Sequence, residues 1–428
     1  MKKIKKLFAI VLSVLLILNA FSTASFATEE KRLSSEKSNY PFIMVHGLGG
    51  WGQYEEYTKI SPYWGGGAGM TIDGADFIKL LNDNGYEAYA ASVGPVSSAW
   101  DRACELYAQL TGTVVDYGKA HSEAHNHERF GVSFEGRALM GENWNLSEPI
   151  NLVGHSFGGP TSRLFASLLA FGDEAEKAAT GEETSELFMG GHSKSIHSVV
   201  TLSGVHNGSP IANMIHDTVA PMYAIAFLVN TMSFLKIESP MGDIKLGHFG
   251  LTPKNETDRV LISPKLIRSF VQAKDNAGYD LTLHGARELN EKIRMSPDTY
   301  YYSYSVYVTE EGLFGKQKPG DTAPIFAGTG ALLCLLEGTT IDGIKMTTDW
   351  AKNDGMVPLA SAKYPLDEEN NAFLYEEALA SGEELQRGRW YYLEPIFGMD
   401  HGDFCNAGDD YPETAEKFYL DMAKMASR

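Results

Sequence analysis

Asn151-Leu152-Val153-Gly154-His155-Ser156-Phe157-Gly158-Gly159 decides how this 428-residue sequence is read. A β-type run ends in Gly-x-Ser-x-Gly, and Pro160 to Leu169 then reads as a helix. A serine between a strand and a helix in this pattern is held on a sharp, strained turn with its hydroxyl exposed. The glycines two positions either side leave room where side chains would collide with the neighbouring strand and helix. The plain alternative is a glycine-rich turn that only packs. The strand before it and Gly159-Pro160 after it favour a nucleophile.

Working outward, the pattern around this turn is strand, helix, strand. Tyr40 to Val45 reads as a strand running into His46-Gly47-Leu48-Gly49-Gly50, Asp73 to Asn82 as a helix closed by Asn84-Gly85, and Tyr86 to Val93 as the next strand. Trp100 to Leu110 reads as a helix, Ser195 to Ser203 and Tyr300 to Val308 as strands, and Thr414 to Met425 as an amphipathic C-terminal helix. Such alternation gives βαβ units and a mostly parallel sheet flanked by helices. With the serine turn, the expected class is an α/β-hydrolase fold. In that fold the strand entering His46-Gly47 supplies one oxyanion donor, the amide of Leu48. The residue after the nucleophile, Phe157, supplies the other. Less regular stretches are expected as a surface excursion at 173–187, irregular chain with helical pieces at 240–290, and a loop at 312–328.

A serine needs a base to take its proton and an acid to hold the base. Chain order in this fold is serine, acid, histidine. Position near the C-terminus selects His401, after a last strand at Tyr391 to Phe397. Asn353-Asp354-Gly355 makes Asp354 the leading acid. Asp400 is the rival, although adjacency would aim it away from the His401 ring.

Met1 to Lys6 is basic, Leu7 to Phe21 apolar, and Ser25-Phe26-Ala27 small-x-small, so residues 1–27 are expected to be a secretory signal peptide. Residues 28–39 follow as a flexible N-terminus, and 40–428 as one catalytic domain. Removing the leader takes away four lysines and no acid, shifting the net charge from −19 to −23. That acidity argues against nucleic acid or an anionic membrane as partners. The sequence calls for no stable membrane span and implies no protein partner. The three cysteines, Cys104, Cys334 and Cys405, cannot build a disulfide framework. Cys104 and Cys334 read as buried free thiols. Val219 to Leu235 is apolar on nearly every face, which suits either a core helix or a mobile lid over the site.

A second cluster stands apart from the nucleophile. His121, His125 and His127 fall within one short segment, with Asp101 upstream. Mixed His/Asp sets are typical of zinc, and four ligands make a closed structural site. A solvated polar loop is the alternative.

The chain also resembles the zinc-containing, thermoalkalophilic lipases of Gram-positive bacteria, from about Tyr40 to the C-terminus. The likeness is carried by His46-Gly47-Leu48-Gly49-Gly50-Trp51-Gly52, Tyr63-Trp64-Gly65-Gly66, Leu81-Asn82-Asp83-Asn84-Gly85-Tyr86 and Val93-Gly94-Pro95-Val96-Ser97-Ser98-Ala99-Trp100-Asp101-Arg102-Ala103-Cys104-Glu105. Asp116-Tyr117-Gly118, Tyr279-Asp280-Leu281 and Ser296-Pro297-Asp298-Thr299-Tyr300-Tyr301 extend it. The resemblance implies a triad of Ser156, Asp354 and His401, oxyanion amides at Leu48 and Phe157, and a structural zinc held by Asp101, His121 and His127, with His125 outside the set. The family's fourth ligand, an aspartate, falls at Gly247, which cannot coordinate. His248 is the expected replacement and Asp243 the weaker candidate. The resemblance places the zinc-binding insertion at about 95–130 and 240–252, and a helical lid at about 210–240. It also brings calcium into consideration near the histidine loop, with Asp403 at one ligand position and Asp409 near another. The elbow departs from the family pattern at Gly154 and Phe157. The Phe157 ring is expected to line the acyl pocket.

The resulting expectation is a secreted, extracellular serine ester hydrolase, foremost a triacylglycerol lipase at a lipid–water interface. A carboxylesterase for short-chain or polymeric esters, an acyltransferase and a non-catalytic lipid-binding protein are the alternatives.

Overall fold

The computed structural model describes residues 39–55, 61–66, 75–217, 273–405 and 412–428. Seven parallel strands form the central sheet: β1 Phe42–Val45, β2 Ala88–Ala91, β3 Ile150–His155, β4 Ile196–Leu202, β5 Tyr300–Tyr304, β6 Ala372–Leu374 and β7 Trp390–Tyr392. Their spatial order is β6-β7-β5-β4-β3-β1-β2. β1 lies between β2 and β3, pairing Phe42 with Ala88 on one side and with Asn151 on the other.

Both faces of this sheet are covered, which is why its strands read as nearly continuous apolar runs. Ile43 and Val45 point into one core layer with Leu152 and Val199, while Phe42 and Met44 point into the other with Val153 and Val200. The first layer is closed by α2 (Ala99–Thr111) and α4 (Gly158–Phe171). The second is closed by α1 (Phe77–Asp83) and α8 (Pro412–Ala426), where Phe77 stacks on Tyr419 with ring centroids 4.3 Å apart. Burying each such aliphatic or aromatic side chain is worth about 1.5–3 kcal/mol.

The helices start where local chemistry allows. Ser98 caps α2 by accepting from the Asp101 amide, and Gly112 ends it in a left-handed conformation. α3 (Lys119–His125) begins at Gly118 without a side-chain cap of its own. Glu176, on α5 (Glu174–Thr180), supplies that cap from a distance by accepting from the amides of Ala120 and His121. The stretch 173–187, expected as a surface excursion, is thus partly helical and sends a buried carboxylate inward. α6 (Leu283–Lys292) is capped by Thr282.

The expected loop at 312–328 is also corrected. Glu310–Glu311 and Gln317–Lys318 form a small antiparallel ribbon, and α7 (Pro324–Leu335) starts with proline in its first turn, where the missing N–H costs nothing. Cys104, Cys334 and Cys405 are all buried and free. Of the lid region, Pro210–Asp217 is helical, whereas 218–240, including most of the Val219–Leu235 segment, lies outside the described residues. Among the described residues no helix is long and apolar enough to cross a membrane.

Candidate active site and metal group

The serine turn follows from close packing around two glycines. A Cβ on Gly154 would sit 2.3 Å from the Gly158 carbonyl oxygen, and one on Gly158 would sit 2.1 Å from that of Val45. Strand β3 can therefore swing directly into α4 beneath the end of β1. Ser156 takes the strain, with φ of +55°, a left-handed conformation uncommon for a side-chain-bearing residue.

Asp354 and His401 meet this serine at the carboxyl ends of the strands. His401 Nε2 lies 2.9 Å from Ser156 Oγ, and His401 Nδ1 lies 2.8 Å from Asp354 Oδ2. The other carboxylate oxygen of Asp354 accepts from the amides of Met356 at 3.0 Å and Val357 at 2.7 Å. Burial works to raise the Asp354 carboxyl, but His401 and these amides outweigh it and hold its pKa below the usual carboxylate value. The same pairing overcomes the burial of His401 and raises its pKa. The rival acid Asp400 faces elsewhere, accepting from Thr322 Oγ1 and the Ala323 amide at the start of α7. Among the described residues neither the Leu48 nor the Phe157 amide has a hydrogen-bond acceptor.

A hydrogen-bonded chain that motif reading did not foresee links the loop after β1 to His401. The Gly47 amide donates to Tyr63 Oη at 3.0 Å, and that hydroxyl donates to His155 Nδ1 at 2.7 Å. His155 Nε2 in turn donates to the His401 carbonyl at 3.0 Å. Burial and the neighbouring His401 lower the His155 pKa to about 3, so its ring is neutral and its tautomer is set by these partners. On the other side of the same loop, buried Arg102 donates to the carbonyls of His46 and Gly47. Its guanidinium stands 4.9 Å from the centre of the Phe157 ring. Phe157 is fully buried in the core layer with Ile43 and Leu164, so its ring does not line an acyl pocket as the sequence suggested. The turn leaves the backbone amide at the site and folds the side chain underneath.

Asp101, His121 and His127 also come together, with a fourth member the sequence reading did not consider. Asp275 completes a buried set whose ligand atoms all lie within 4.8 Å of one another. His121 Nε2 is 3.2 Å from Asp101 Oδ1 and 3.3 Å from Asp275 Oδ1, and His127 Nε2 is 3.2 Å from Asp275 Oδ2. Ligands at about 2.0–2.2 Å around a tetrahedral ion stand about 3.3–3.6 Å apart, so these spacings fit one. His127 Nδ1 lies 2.9 Å from the Glu128 carbonyl, which assigns the proton there and turns the Nε2 lone pair inward. Burial alone would lower the His121 pKa, yet Asp101 and Asp275 outweigh it and raise it to about 9. The cluster calls for positive charge at its centre. Trp100 stacks on His121 at 5.1 Å and on Phe188 at 5.4 Å, fixing the imidazole plane.

His125 packs beside His121 but is not in the set. His248 and Asp243, expected for the fourth place, lie outside the described residues, and Asp275 is the carboxylate found there. For calcium, Asp403 accepts from the Asp400 amide, and Asp409 lies outside the described residues.

A parallel sheet with a strained serine turn, an acid and a histidine in this order defines an α/β-hydrolase. Within that class the chain belongs to a lipase family: residues 38–423 match the family described as lipase-like, C-terminal domain. It is 33% identical to a lipase of Staphylococcus hyicus over 384 residues, covering 88% of this chain and 55% of that protein. Against a lipase of Staphylococcus epidermidis the figures are 33%, 88% and 51%, so the chain spans about half the length of the curated relatives it matches. Among solved structures it is similar to EstA from Clostridium botulinum, with a TM-score of 0.78, 32% identity, and 92% and 88% of the two chains covered. It is similar also to the crystal structure of Staphylococcus hyicus lipase, with a TM-score of 0.75, 30% identity, and coverage of 92% and 97%.

Proposed function

We propose that the protein is a secreted serine ester hydrolase, and specifically a triacylglycerol lipase working through an acyl-enzyme. The observation that carries this is the unbroken contact from Asp354 through His401 to Ser156 Oγ on a strained elbow. His401 Nε2 takes the Ser156 proton as Oγ attacks the ester carbonyl, and Asp354 stabilises the imidazolium that forms. The amides of Leu48 and Phe157 receive the oxyanion. The proton passes to the leaving alcohol, and water activated by the same imidazole then releases the fatty acid from Ser156.

Lipase is preferred to a soluble esterase because the curated relatives, 33% identical over 88% of this chain, are named lipases. Secretion rests on the leader pattern of residues 1–27. For the ion, two imidazoles and two carboxylates in a buried, closed set suit zinc. Asp101, His121, His127 and Asp275 would hold it, and it would supply a cross-link between α2, the α3 segment and the chain before α6.

A fluorophosphonate probe tests the reaction. A stoichiometric adduct on Ser156, seen by peptide mass spectrometry and absent in Ser156→Ala, is the expected result. Folded protein that takes no label would sink the hydrolase reading.

A further inference from the structure

The ribbon formed by Glu310–Glu311 and Gln317–Lys318 carries Leu313 and Phe314 at its tip. Leu313 is 85% exposed and Phe314 100% exposed, the highest values among the exposed large apolar side chains of the described residues. Phe314 is also in the left-handed region, with φ of +63°, where a bulky residue is strained. The hairpin does not look like a loose loop. The Gly312 amide donates to the Lys316 carbonyl at 2.7 Å, Lys318 pairs with Glu310, and the Gln317 amide donates to Glu337 just beyond α7. A braced stalk thus presents two apolar side chains to solvent.

The adjoining helix extends this surface toward the reaction centre. α7 contains no Asp, Glu, Lys, Arg or His, and it exposes Ile325 at 66% and Leu335 at 77%. Its Phe326 ring lies 6.0 Å from that of His401, and its Thr329 hydroxyl donates to the Gly355 carbonyl beside Asp354. Exposed apolar side chains therefore stand at the ribbon tip and at both ends of α7, the helix whose Phe326 lies beside His401. Charge points to the partner. From 310 to 337 the acids Glu310, Glu311, Asp321 and Glu337 outnumber Lys316 and Lys318 by two, and α7 itself is uncharged. A strip with no net positive charge and an uncharged apolar helix suits an uncharged apolar surface better than an anionic bilayer.

We propose that Leu313 and Phe314, backed by α7, form an anchor that inserts into a neutral acylglycerol surface and holds the mouth of the site against it. This rests on the ester-hydrolase reading for its purpose, but not for its detection. The test compares the full-length protein with a Leu313→Ser/Phe314→Ser variant for adsorption to a triolein emulsion and to phosphatidylglycerol vesicles. Hydrolysis of dissolved 4-nitrophenyl acetate and of emulsified triolein is measured alongside.

The variant should adsorb to triolein about tenfold more weakly or less, given the apolar area removed. Its triolein turnover should fall in parallel while acetate hydrolysis is unchanged, and Phe314→Trp should retain adsorption. Equal adsorption by parent and variant overturns the anchor. So does a parent that prefers the anionic vesicles, or a parent dimer that the variant dissociates, since the strip would then serve another partner. A variant slower on acetate with undiminished adsorption places the side chains in an internal contact and also overturns it. If adsorption follows the anchor but the parent hydrolyses neither ester, the hydrolase reading fails and the anchor stands.

Discussion

Two buried Asp/His clusters sit in this molecule, and they solve the problem of burying charge differently. Around Asp354 each contact pairs a donor with an acceptor: two backbone amides on one oxygen, an imidazole N–H on the other. The protein alone completes that network. Around Asp275, two imidazole nitrogens converge on two carboxylates, and His127 already directs its Nδ1 proton to the Glu128 carbonyl. That network has the make-up of a group that could hold a metal ion. The first arrangement keeps an imidazole free to take and return a proton, whereas the second ties its imidazoles down. One is suited to turnover and the other to holding chain segments together.

The most severe way to break the first cluster is to remove its nucleophile. Ser156→Ala should lower kcat by roughly 10⁵-fold with unchanged thermal unfolding, measured on a soluble ester and by calorimetry. Asp354→Asn should lower kcat by about 10⁴-fold, because it loses both charge and tautomer control. It also gives a pH readout. Because Asp354 raises the pKa of His401, the neutral base is lost as pH falls through a value above the ordinary ~6.5. The acid limb of kcat/KM should therefore lie above that value in the parent and move downward in Asp354→Asn. An acid limb that stays put would show that the carboxylate does not set the base.

The second cluster should break as a matter of stability instead. His121→Ala should reduce bound zinc, measured by metal analysis, and destabilise the fold by about 3–5 kcal/mol, the scale for leaving buried charge unpartnered. Ester hydrolysis by the remaining folded protein at moderate temperature should change far less than in the triad variants. Unchanged metal content would defeat the ligand assignment. The smallest effect is expected for Tyr63→Phe, which removes one hydroxyl between Gly47 and His155. A kcat loss of about tenfold with KM unchanged would mark Tyr63 as a positioning residue, since misaligning a donor should cost less than the roughly 10²–10³-fold of removing one. An equal loss in both parameters would point to general loosening.

What the sequence revealed follows the same division. The strand–serine–helix signature, the Asp354-Gly355 turn and the C-terminal His401 each carry a local pattern, and chain order links them. Asp101, His121 and His127 came within reach through a short histidine-rich segment and a family likeness. Asp275 did not, because it lies in a stretch without periodicity and meets its partners only through tertiary packing. Its only local signal is the neighbouring Asn276, which caps the short helix Ala277–Asp280. Glu176 was hidden for a related reason: an acidic segment reads as solvated until the fold aims one carboxylate at the amides of α3. Phe157 misled differently. Its position in the motif determines where its amide points, but only the turn determines where its ring goes. At α7, turn-rich composition upstream masked a helix that Pro324 opens.

Helix α2 places Asp101 and Arg102 side by side, the first in the Asp/His group and the second on the His46 and Gly47 carbonyls. An engineer grafting this Asp/His group onto another hydrolase scaffold would import the anchor of the His46-Gly47 loop with it, since one peptide bond separates the two. Deleting the site to make an ion-independent variant carries the converse obligation. The first turn of α2 must then be fixed by some other means, or the loop over the serine loses its register.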